Sequence, residues 1–224
     1  MARSKKVAAK AAPPTPRPLE SGDVAGRSFY FALRYPDQEM ALPALEALAE
    51  SLRSAGLGAL EARGVEEVRG GERLHLALDG ERGSVRIVVH DDESMPAMVV
   101  EVTGPSGLAL EVAGHVGRRL DVAPAREVID TAEVERHDDP AMLVLAAWVA
   151  TEQEDAPLLQ LLQRSSLDPD VEVRRAVAKA AAVQCTPALR ALVQAMAAKE
   201  REKPLARQLQ RLLAAWPSAR GASR

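Results

Sequence analysis

The 224 residues suffice to bury a substantial core, and a hydrophobic share of 47% excludes a chain disordered throughout. Aromatic residues make up only 3%, so the core has to be built from Leu, Val and Ala, and a single cysteine, Cys185, excludes an internal disulfide framework. No apolar run reaches the roughly 18 residues of a membrane span, and the basic N-terminus lacks the apolar stretch of a secretory signal, so a cytoplasmic location is expected.

The formal net charge of −3 conceals an uneven distribution. Residues 1–17 carry five Lys or Arg and no acid, residues 18–163 carry 12 basic and 27 acidic residues, and residues 164–224 carry 12 basic and 5 acidic ones. An acidic body is therefore flanked by a basic segment on each side, an arrangement that favours oppositely charged partners.

Residues 1–26 are rich in Pro and Ala, with four prolines between positions 13 and 18, and are expected to form a disordered basic tail. It either solubilises the chain or docks on an acidic surface. Residues 27–122 read as an acidic α+β domain. SFYFALRYP predicts a strand, and Asp37 is placed to cap a helix running to about Ser54. Ala41, Leu45, Leu48, Ala49 and Leu52 fall on one face of that helix, which Gly56 and Gly58 end. The runs GALEARGVEEV, RLHLALDG, SVRIVVH and MPAMVVEVTG then alternate, with DGERG as a hairpin turn between the middle two. Leu74, Leu76 and Leu78 share a face, as do Val85, Ile87 and Val89. A second helix from Ser106 to Leu120 buries Leu108, Val112, Val116 and Leu120. The expected product is an antiparallel sheet with two helices on one face and water on the other.

Residues 123–136 read as a linker, residues 137–217 as wholly helical, and residues 218–224 as a second disordered tail. Residues 141–150 contain no polar side chain, so that helix must be covered on two sides, by later helices and by the sheet. The run PLLQLLQRSSLDPDVEVRRAVAKAAA resembles a HEAT-like repeat. Pro157, Leu158, Leu161 and Leu162 match its first helix; Asp168, Pro169 and Asp170 match the turn; Val173, Arg174, Val177 and Ala180 match the second helix. Ala181 stands where that family usually has leucine. A second copy starts at Pro187 and continues through Pro204 to Trp216, while HDDPAMLVLAAW supplies a preceding second helix. The resemblance spans about 80 residues. It implies a short array of helical hairpins capped by the sheet domain, because fewer than three such repeats rarely stand alone.

Two His-Asp-Asp triplets, His90–Asp92 and His137–Asp139, have metal-ligand composition. Asp-Pro before a helix has a simpler use, since the carboxylate accepts orphan amide protons and proline withholds none. Asp139 and Asp168 are therefore expected to cap helices, and neither a metal nor a cofactor is expected. His75 and His90 fall on the face assigned to water, where they could approach Glu101. Cys185 has no histidine near it in sequence and reads as a structural thiol. No phosphate-cradling loop, nucleophile elbow or zinc spacing occurs.

The informative charges lie late in the chain. Lys203, Arg207 and Arg211 recur every four residues opposite Leu205, Leu209 and Leu212, and Arg174, Arg175 and Lys179 form a second set. These six are the expected partner-binding residues. The sequence thus points to a non-catalytic protein–protein interaction protein of adaptor, regulatory or inhibitor type, acting through its acidic domain, its helices or both. Nucleic-acid binding through the basic helices is the alternative, no membrane contact is expected, and the oligomeric state stays open.

Overall fold

The computed structural model describes residues 26–35, 38–68, 70–151 and 155–216. Both expected tails, apart from Gly26, lie outside the described residues, as does Asp37. The N-terminal half runs β1 (Gly26–Leu33), α1 (Gln38–Ser54), β2 (Ala59–Val68), β3 (Gly71–Gly80), β4 (Gly83–Asp92), β5 (Val99–Pro105), α2 (Ser106–Arg119) and β6 (Val122–Ala123). All six strands pair antiparallel in the order β2-β3-β4-β5-β1-β6.

Alternation decides the inner face. Leu76, Leu78, Val85, Ile87, Val89, Val100 and Val102 are buried together with Leu45, Leu48 and Leu52 of α1 and Leu108, Val112 and Val116 of α2. These are the 3.6-residue stripes and period-2 runs that the sequence displays. At Gly58, φ is +128° and a Cβ would lie 2.5 Å from the Asp79 carbonyl oxygen, so only glycine lets this loop cross the β3–β4 hairpin.

The outer face departs from expectation. Ala32 and Val99 are buried in the helical core, and Tyr30, Met95 and Ala97 pack against it. Water is excluded there because the apolar helix α4 (Ala141–Val149) needs a second cover and takes the β5–β1 side of the sheet. The outer face remains wet toward β2, exposed from Glu61 to Glu67, and at Ser28 and Arg86. The expected linker 123–136 is also corrected. Val122 and Ala123 pair with Leu33 and Ala32, and α3 (Ala125–Glu135) is a helix that buries Val128, Ile129 and Ala132. Its apolar stripe is only three residues wide and its N-cap, Pro124, offers no side-chain acceptor, which left the helix without a start signal.

After α4 come α5 (Asp155–Ser165), α6 (Val171–Gln184), α7 (Pro187–Lys199) and α8 (Lys203–Ala215). Each helix from α3 to α8 packs against the one that follows it. Alternate helices also meet and so form two rows, one in which α3 meets α5 and α5 meets α7, the other in which α4 meets α6 and α6 meets α8. Leu143, Leu158, Leu161, Leu162, Val173, Val177, Val193, Leu205 and Leu209 fill the space between. Buried Gln184 fastens the second row: its side-chain amide donates to the carbonyls of Ala147 and Ala150, which the end of α4 leaves without helical partners.

Candidate interaction surface

The α3–α4, α5–α6 and α7–α8 turns are joined by one chain of polar contacts. In the middle turn the Asp168 carboxylate, 8% exposed, faces His137 Nε2 at 3.5 Å and Arg136 Nε at 3.9 Å from the turn before it. Arg174, at the start of α6, donates through Nη1 to the carbonyls of Asp168 and Pro169, both at 2.8 Å. Its Nε and Nη2 grip Glu200 of the following turn at 2.9 and 3.0 Å. The two-point hydrogen bond to Arg174 is the main reason the Glu200 carboxyl lies below its ordinary range, against the opposing effect of burial.

This geometry changes two expectations. Arg174 is spent inside the fold and is withdrawn from the partner-binding set. Asp168 does not cap α6: Asp170 does, accepting from Glu172 N at 2.8 Å, while Asp168 accepts from Asp170 N and faces the neighbouring turn. Asp139 does accept from Ala141 N at 3.0 Å, as the Asp-Pro pattern predicts.

The other five predicted residues lie on two helices in contact, α6 and α8. Arg175 pairs with Glu172 one turn back on its own helix. Lys179, Lys203, Arg207 and Arg211 are exposed and form no ion pair with the described residues. On α8 the three cations climb about 6 Å per step along one face, opposite the buried Leu205 and Leu209. Lys199 and Arg201, also exposed and without ion pairs among the described residues, continue the positive surface around the α7–α8 turn. There they rim a cleft of about 590 Å³ whose lining includes Met196 and the 76% exposed Leu167. Of the cleft's inner charges, Arg174 and Glu200 already neutralise each other and Asp168 faces Arg136 and His137.

The histidines are held individually. His75 meets Glu66 at 3.1 Å, and His115 Nδ1 meets Ser51 Oγ at 2.9 Å. Burial, reinforced by Arg118, lowers the His115 pKa. His90 is not solvated as expected. It is 14% exposed, bonds Glu101 at 3.1 Å and sits edge-on to Trp148 with ring centres 5.2 Å apart. The bond to His90 is the chief cause of a lowered Glu101 pKa, with burial opposing and Thr103 and Arg86 assisting. In this relay the Glu101 carboxylate lies between the Thr103 hydroxyl and the His90 imidazole, so these two do not meet directly. Cys185 ends α6 in the left-handed conformation, φ 49°, its thiol on the Ala182 carbonyl. Among the described residues no group of three or more His, Cys, Asp or Glu side chains is arranged to hold a metal ion. Nor is any helix among them long and apolar enough to cross a membrane.

Comparison with family models, curated proteins and solved structures finds no match to this chain, so its functional reading rests on its own residues. Glu200 and the Arg136–Asp168 contact escaped the sequence reading. Their only local signal is Val-Arg following Asp-Pro-Asp, which places an arginine at the helix start but does not name its acceptor 26 residues on.

Proposed function

We propose that this is a non-catalytic interaction protein in which an acidic α+β part carries a short HEAT-like array, and the array holds an acidic surface of a partner protein. One observation carries the reading: Lys179, Lys203, Arg207 and Arg211 stand exposed on adjoining helices with no ion pair among the described residues. Elsewhere in the helical part Arg164 is paired with Glu133, Arg174 with Glu200 and Arg175 with Glu172, while Arg190, Lys199 and Arg201 also stand exposed without an ion pair among the described residues. Uncompensated like charges on one face repel one another, and an acidic partner relieves that repulsion while steering its own approach. The HEAT-like assignment draws support from helices α3 to α8 standing in two rows, stitched turn to turn by Asp168 and Arg174. No cofactor enters this reading.

Nucleic acid is the second reading, favoured by the same four cations. It makes a separate quantitative demand. Four phosphate contacts would make the logarithm of the binding constant fall with the logarithm of salt with a slope of roughly −3.6. A fluorescence titration with duplex DNA across salt therefore separates the two. Binding with that slope favours nucleic acid. A protein partner captured by the wild type, insensitive to nuclease and lost in the Lys203→Glu, Arg207→Glu, Arg211→Glu variant, supports the proposal.

A further inference from the structure

The cleft of about 590 Å³ between the α5–α6 turn and the end of α7 has an apolar part as well as a charged rim. Leu167 stands in the α5–α6 turn at 76% exposure. From α4 to α8 it is the one large apolar side chain left exposed among the described residues. Pro169 and Ala195 are exposed on the same lining, and Met196, nearly buried, completes it. Ala195 and Lys199 lie one helical turn apart on α7, so a single face of that helix supplies both an apolar and a cationic group.

The polar groups inside the cleft are already engaged. Ser166 Oγ donates to the Gln163 carbonyl at 2.7 Å, Arg174 and Glu200 hold each other, and Asp168 faces Arg136 and His137. The volume would admit a small molecule, but such sites orient their ligand with a few free polar groups in an otherwise apolar pocket. What remains here is apolar lining beside two exposed cations, Lys199 and Arg201, neither with an ion pair among the described residues. Their charge repels a basic occupant and draws carboxylates. The apolar lining gains only from an apolar side chain that takes it out of water.

We propose that this cleft receives the anchor of the acidic partner: one leucine-sized aliphatic side chain set against Leu167 and Met196, with aspartate or glutamate on either side of it facing Lys199 and Arg201. Interface energy concentrates in a few side chains seated in desolvated pockets, whereas exposed charge contributes mainly to the speed and orientation of approach. The proposal rests on the acidic-partner reading of the helices and names the segment that such a partner must present. The α8 stripe steers, and the cleft selects.

The test uses the full chain with methyl-labelled Leu and Met, titrated with three capped pentapeptides, Glu-Glu-Leu-Glu-Glu, Glu-Glu-Ser-Glu-Glu and Lys-Lys-Leu-Lys-Lys. The leucine-centred acidic peptide should shift the Leu167 and Met196 methyl resonances saturably. The serine peptide should bind at least about tenfold more weakly, the difference expected for one buried apolar side chain, and the basic peptide not at all. Leu167→Ser, at a position exposed enough to leave the fold intact, should close the gap between the two acidic peptides. Lys199→Glu with Arg201→Glu, both also exposed, should abolish the binding of either. Equal affinity of the leucine and serine peptides, an unchanged gap in Leu167→Ser, or no saturable shift would each overturn the anchor. A salt-sensitive wild-type dimer in sedimentation velocity that is missing in Leu167→Ser would give the cleft to a second copy and overturn it as well. A captured partner that is lost from the α8 charge variant but kept by Leu167→Ser and by Lys199→Glu with Arg201→Glu would overturn the anchor while the acidic-partner reading stands. Selective leucine-peptide binding with a captured partner indifferent to the α8 charges would do the reverse, removing the stripe and keeping the cleft.

Discussion

The first and last helices of the second row, α4 and α8, contrast sharply. Both pack against α6. On α4 the side turned away from α6 is apolar, and the sheet covers it with Ala32, Val99 and the Tyr30–His90 pair around Trp148. On α8 the corresponding side is Lys203, Arg207 and Arg211, and no described residue pairs with it. A helix written apolar all round has its second cover inside the molecule; one written apolar on one side and uniformly charged on the other leaves that charge for something else. The difference separates a helix covered on both sides within the chain from one whose charged side is open among the described residues.

The strongest way to break this comparison is at Trp148. If α4 joins the sheet to the helices as one core, Trp148→Ala should cost about 3 kcal/mol, somewhat under the full cost for a buried tryptophan because its ring is half-buried. Calorimetry should record one cooperative transition shifted down. Two transitions, with the sheet's unchanged, would mean that α4 does not couple the halves.

Next comes the ladder between turns. Glu200→Ala strands Arg174 with its charge 18% exposed and should cost about 2 kcal/mol in denaturant unfolding. The Glu200 carboxyl is depressed in the folded state, so its contribution is complete above the ordinary value of 4.5 and is lost as pH falls through the lower folded value. Glu200→Gln should flatten that acid limb of the stability profile; an unchanged limb would show that Arg174 is not its partner in solution. A smaller effect tests the corrected cap. Asp170→Ala should cost about 1 kcal/mol and Asp170→Asn almost nothing, because asparagine caps equally well. Equal losses in the two melts would assign Asp170 another role.

Much of this fold is legible in the residues. Period-2 alternation marked β3 and β4, period 3.6 marked α1, α2 and α5–α8, and Gly56 and Gly83 punctuated them at φ 71° and 119°. Legibility failed where a residue's role is set by a distant element. Val128, Ile129 and Ala132 are too few to announce a helix until α4 and α5 lie against them. His90 alternates onto a face that is wet by local pattern, and only a tryptophan 58 residues away dries it. The site shows the same division. Lys203, Arg207 and Arg211 could be read as an open stripe from spacing alone, whereas Arg174 looked identical to them until Glu200 came within 3.0 Å.

The smallest expected change in stability accompanies the largest expected change in function. Lys203→Glu, Arg207→Glu and Arg211→Glu together replace exposed side chains without ion pairs among the described residues, so stability should move by no more than about 0.5 kcal/mol. Quantitative affinity capture from the native cell, wild type against this variant on nuclease-treated extract, tests the central claim most directly. The account predicts a stoichiometric protein partner on the wild type that is lost from the equally stable variant. Recovery of the same partner in the same amount by both would contradict it.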